Sequence, residues 1–180
     1  MICNLLSVIG KRFQDAGLRD IAVESGVVAE GSINSVMEGR KYNRGVRLCK
    51  LPYEALLRLA WKGFYPWMED HHTGEMHHLN TTAKVMERLH SDLSQVQFEE
   101  VLQDASCCKI FELFSLYLHH LRCMNGNLSA FWMSFVDMSE ILLGIIRASR
   151  EGNWPLHLIS VRKMIPWSFA YDQTNYARYL

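Results

Sequence analysis

Leu128-Ser-Ala-Phe-Trp-Met-Ser-Phe-Val-Asp-Met-Ser-Glu-Ile-Leu-Leu-Gly-Ile-Ile146 is the stretch whose reading decides the fold class. Leu128, Phe131, Trp132, Phe135, Met138, Leu142, Ile145 and Ile146 recur at three and four residues, the repeat of a helix with one buried face. A half-buried strand would alternate every second residue. Upstream, Ile110, Phe111, Phe114, Leu118 and Leu121 repeat the same way. Across the chain, leucine and methionine together outnumber valine, isoleucine and threonine, so unbranched helix formers outweigh β-branched residues.

Working outward, residues 3–14 and 18–25 read as short helices broken at Gly17 and Gly26, and Ser32 as the cap of a helix stopping at Gly39. Residues 43–70 read as one long helix, with Pro52 and Pro66 as breaks or kinks. Its middle, Leu56 to Tyr65, is apolar nearly all round, as in a helix covered on more than one side. A polar break follows at Asp70–Asn80, then an amphipathic segment at Thr82–Leu93. Ser94 with Gln97 starts a helix running to Gln103. Asn153-Trp-Pro155 opens a last helix, with Pro166 as its kink or end. The expectation is an all-α, irregular multi-helix single domain spanning 1–180, with roughly six to nine helices. Both chain ends stop in mid-pattern, which reads as a fragment of a longer protein.

Hydrophobic residues make up 49% of the 180 and charged residues 21%, a composition able to repay its chain entropy by burial, which excludes disorder. The longest clean apolar run, Ile141 to Ile146, is far shorter than the ~18 residues of a spanning helix, so no membrane is expected. Ile2 to Ile9 resembles a signal core but lacks a basic flank before it, and it is read as a first helix. Nineteen basic residues balance nineteen acidic ones, so no global field draws the chain to nucleic acid and any electrostatic function is local. A neutral, rather apolar chain of this kind self-associates or expects a covering partner. The five cysteines are odd in number, two are adjacent and no CxxC occurs. That pattern fits reduced thiols, many of them core residues, in a nuclear or cytoplasmic setting.

Three groups of side chains are candidates for chemistry. Arg40, Lys41, Arg44, Arg47 and Lys50 form a basic run with no acid in it, at a loop-to-helix junction where phosphate is favoured. The plainer reading is a surface stripe pairing with acids elsewhere, such as Glu99 and Glu100. His71, His72, His77 and His78 surround a glutamate, and His119, His120 and Cys123 lie one turn apart downstream of Cys107 and Cys108. Zinc or another borderline metal takes such ligands, although the spacing matches no zinc motif and a solvated loop is the ordinary alternative. Asp137, Glu140, Gly144, Arg147 and Glu151 share one helical stripe opposite the apolar face. Carboxylates one turn apart can hold a divalent metal, and a glycine admits a close approach. The ordinary alternative is a solvated, ion-paired face. No nucleophile triad motif, phosphate loop or dinucleotide fingerprint occurs.

Ile9-Gly-Lys-Arg-Phe-Gln-Asp-Ala-Gly-Leu-Arg19, Val36 to Arg47, and Arg147 to Trp154 running on to Trp167 and Tyr179 together resemble a family of long, transposon-derived animal proteins. That family is distantly similar to RNase H-like DNA transposases. The likeness implies the helical C-terminal part of such a protein, contacting DNA or an upstream catalytic core. It also implies that Asp137, Glu140 or Glu151 is the late acidic residue of a two-metal site whose other members and sheet lie outside this chain. A divalent cofactor is then expected only in the full-length context. The chain alone holds no complete catalytic constellation. The alternative expectation is a non-enzymatic interaction module that self-associates or binds a partner helix, and a third is a hydrolase using the histidine clusters.

Overall fold

A computed structural model describes residues 1–91, 103–124 and 127–171, with side chains at 88–91 and 127 excepted. Among these residues there are eight α-helices and no strand. They are α1 (Ile2–Phe13), α2 (Leu18–Glu24), α3 (Ile33–Met37), α4 (Tyr42–His71), α5 (Met76–Ser91), α6 (Ala105–Cys123), α7 (Asn127–Glu151) and α8 (Trp154–Ala170). The all-α expectation holds. The helix expected from Ser94 and the terminal Tyr176–Leu180 pattern lie outside the described residues.

The chain forms two compact units, residues 1–56 with 132–180 and residues 57–131, and both α4 and α7 have residues in each. The first unit is built on α1, whose Leu5, Leu6, Ile9 and Phe13 are buried and which packs on α2, α3 and α8. Phe13 meets the Phe135 ring edge-on at 5.1 Å and stacks on Trp132 at 5.8 Å. Such pairs add about 1 kcal/mol each beyond their burial. The Arg12 guanidinium donates to Ser134 Oγ at 3.2 and 3.3 Å and to the Tyr171 hydroxyl at 2.7 Å, fastening α1 to α7 and the end of α8.

Glycine sets how closely α1 and α3 approach. A Cβ on Gly10 would run into the Met37 carbonyl, and one on Gly39, whose φ is +74°, into the Cys3 carbonyl. Gly39 therefore does two things: it ends α3 in a left-handed conformation and lets α1 pass over the turn. Ser32 precedes α3 without a side-chain capping bond, contrary to the expected role, and its hydroxyl accepts from Arg44 instead.

In the second unit, Ala60, Phe64 and Met68 of α4 pack with Ile110, Leu113 and Tyr117 of α6. Gly63 leaves the space that the Tyr117 hydroxyl fills. α5 runs along α6, and Asp104 caps α6 by accepting from the Cys107 N–H at 3.0 Å.

Three local expectations are sharpened. α4 runs from Tyr42 through Pro52 and Pro66 to His71 without interruption, and α8 continues past Pro166 to Ala170. Each proline removes one helical hydrogen bond, and the burial of Phe64, Met68, Met164 and Ser168 on the flanking turns keeps the helices formed. In the middle of α4, expected to be covered on more than one side, Ala60 and Phe64 are buried while Leu59, Trp61 and Tyr65 are exposed. Finally, Leu128–Glu151 is long and apolar enough to cross a membrane by length and composition, which the short clean run at 141–146 did not suggest. Half of that window is buried inside the protein, as in a core helix.

Candidate nucleic-acid interface

The first turns of α4 carry Tyr42, Asn43, Arg44 and Arg47, with Lys50 one turn on. Gly45 fits here because its Cα faces the Leu6 side chain of α1, leaving the flanking arginines on the outer face. Beside these turns lies the last stretch of α7, with Leu143, Ile146, Arg147, Arg150 and Glu151. Together they line an open groove of about 610 Å³ within the first unit. Its rim carries four cations, Arg47, Lys50, Arg147 and Arg150, against a single carboxylate, Glu151. Its floor is apolar, from Val46, Leu143 and Ile146. A second recess of about 420 Å³ shares Asn43 and Arg47 with the groove and adds Arg44 and the 26–29 turn.

The five basic residues singled out in the sequence therefore divide. Arg47 and Lys50 line the groove and Arg44 the second recess, donating to Ser32 Oγ at 3.1 Å. Arg40 pairs with Glu38 at 2.9 Å and, like Lys41, lines neither. Lys50 lies 3.7 Å from Glu54, and both are well exposed, so this pair is weak. Arg147 holds Glu151 at 2.8 Å on the same helix. The sequence placed Arg147 only in an acidic stripe and left Arg150 out, whereas Tyr42 and Asn43 lie within the Arg40–Lys50 stretch it singled out. The available signal was the i, i+3 spacing of Arg147 and Arg150 on one helical face.

The acidic stripe matches the solvated, ion-paired face given as the ordinary alternative, with Glu140, Arg147 and Glu151 exposed. Glu140 accepts from the Tyr53 hydroxyl, whose pKa is raised first by burial and then by that carboxylate. The close approach that Gly144 allows is taken by Ser160 of α8, and Glu151 is held by Arg147. Asp137 is half-buried.

The histidines occupy a tight connection rather than a free loop: α4 ends at His71, a single 3-10 turn spans Thr73–Glu75, and His77 and His78 open α5. His71 stacks on Trp67 at 5.3 Å, and His77 Nδ1 lies 3.0 Å from the Gly74 carbonyl. His78 bridges Glu75 at 3.2 Å and Ser106 Oγ at 3.0 Å, tying the start of α5 to the first turn of α6. His119 reaches Cys123 Sγ at 3.6 Å. Among the described residues, no three or more His, Cys, Asp or Glu side chains are grouped to hold a metal ion.

The chain belongs to the family described as domain of unknown function DUF8702, whose model matches residues 1–180. Neither the curated proteins nor the solved structures give a significant match.

Proposed function

We propose that this chain is a helical accessory region that holds the phosphate backbone of DNA in the groove between the start of α4 and the end of α7. One observation carries the reading: cations from two helices far apart in sequence converge on one concave surface of an otherwise neutral protein. The start of α4 adds the partial positive charge of its unpaired first-turn N–H groups. Within a longer, transposase-like protein, as the sequence resemblance suggests, the region positions DNA for a catalytic core supplied by other residues. The five free thiols fit a reducing setting, nuclear or cytoplasmic.

Fluorescence anisotropy with labelled DNA across a salt series tests it. Binding should weaken steeply with salt, and Arg47→Glu with Arg150→Glu should flatten the slope. Salt-independent binding, or none at low salt, overturns the reading. The exposed Leu158, Ile159 and Phe169 on α8 favour a second reading, an interaction surface for self-association or a partner helix. A dimer in sedimentation that Ile159→Lys disperses would support it.

A further inference from the structure

We infer that the groove takes single-stranded rather than duplex nucleic acid, with an unpaired base seated on its floor against Tyr42. The inference rests on the reading of the groove as a nucleic-acid site and specifies its substrate class. A duplex offers phosphates to a protein but keeps its bases stacked inside, so a cationic ridge would serve it and an apolar floor would be wasted. Here the lining cations Arg47, Lys50, Arg147 and Arg150 are exposed, whereas the apolar lining of Val46, Leu143 and Ile146 is half-buried or buried, which sets charge at the rim and apolar side chains at the floor. Tyr42, 38% exposed, adds an aromatic face at the same wall. Backbone charges outside with an aromatic and apolar seat inside is the arrangement that holds a splayed single strand. The Asn43 amide, on the same wall, offers both a donor and an acceptor to a base edge.

The shape argues for a strand over a lone nucleotide. The second recess adjoins the groove through Asn43 and Arg47, which line both, and adds Arg44, whose exposed bond to Ser32 Oγ leaves further donors for a phosphate. A mononucleotide would leave that recess and its cation unused.

The test measures three probes against the purified chain at one salt concentration: a labelled single-stranded oligonucleotide, a hairpin-closed duplex of the same sequence, and a mononucleotide as competitor. The single strand should bind at least tenfold tighter than the duplex, and the mononucleotide should displace it only at far higher concentration. Tyr42→Ala should weaken the single strand by about 5- to 100-fold, the range of one base–aromatic stack, and leave the duplex unchanged. Tyr42→Phe should restore binding, since it keeps the ring. Duplex binding as tight as single-strand binding, with Tyr42→Ala silent and Arg47→Glu still damaging, overturns this inference and leaves the DNA reading standing. Displacement by the mononucleotide at equal concentration overturns it in favour of a small nucleotide. Binding to none of the probes overturns both readings.

Discussion

The thiol of Cys49 is 3% exposed in the first unit, and burial pushes its pKa from 9.0 up to about 12. Cys107 is also fully buried, whereas Cys3, Cys108 and Cys123 are exposed. A thiol-reactive dye such as DTNB should therefore titrate three thiols in the native protein and five in denaturant, and five fast-reacting thiols in the native state would refute this packing. The shifted pKa also fixes a pH dependence. Below pH 9 both folded and unfolded states keep the Cys49 proton, and its contribution to stability is complete. Between pH 9 and about 12 only the folded state keeps it, so stability falls by ~1.4 kcal/mol per pH unit, joined by the raised Tyr53 and Tyr117. Urea melts at pH 7 and pH 10 measure the fall, and Cys49→Ala should reduce it while costing some stability at pH 7. Cysteine as a core residue was legible from the sequence because a free thiol behaves as a small hydrophobe. The partners of the charged residues were legible only in part. Tyr53 with Glu140 is a pairing that composition cannot show, whereas Arg147 with Glu151 is the i, i+4 ion pair that the stripe's spacing already allowed.

At the scale of the element, periodicity located the helices well and punctuation located their ends less well. Gly17, Gly26, Gly39 and Gly152 all have positive φ where helices stop, and Asn153 caps α8 by accepting from the Leu156 N–H at 3.0 Å. Those signals are local, so a sequence shows them. At Pro52, Pro66 and Pro166 the sequence left a break and a kink both open, and the helices do not break because proline's cost, about 3 kcal/mol, is set against tertiary burial that no local window contains. Helix crossings were equally hidden, and Gly10 is the plainest case. In sequence it is a helix-weakening residue in the middle of α1; in the fold it is where α1 lies on the Met37 backbone. Gly10→Ala should gain a little helix propensity and lose far more at the crossing, a net destabilisation of at least about 3 kcal/mol, because backbone rather than a flexible side chain must move. Gly31→Ala, at a site with open space, should be near neutral. Asn153→Ala should cost about 1 kcal/mol through the lost cap. Thermal or urea denaturation of the three variants gives the order directly, and a neutral Gly10→Ala would mean α1 and α3 do not cross as described.

For the whole molecule, net charge is the wrong quantity to ask about binding. Nineteen positive and nineteen negative groups cancel at a distance, and charges beyond a Debye length of ~8–10 Å are screened in any case. What remains is the local excess at the groove, and the sequence could show only half of it. Residues 40–50 stood out as a basic run, but the other wall comes from the end of α7, with α5 and α6 between them in the chain. Their convergence is a product of the tertiary fold. The groove also limits the salt dependence. With four cations on the rim, a single strand releases ~0.7 counterion per phosphate contacted, so the slope of log K against log salt should be about −3. A rise from 50 to 200 mM salt should then weaken binding roughly 50-fold. Reversing Arg47 or Arg150 should remove about one contact each and flatten the slope by about 0.7 unit. Reversing Arg40 and Lys41 changes the net charge just as much but should leave the slope nearly unchanged, because neither residue lines the groove or the second recess. If all four reversals flattened the slope equally, the protein would be acting as a diffuse basic surface, and the groove would have no claim to be the site.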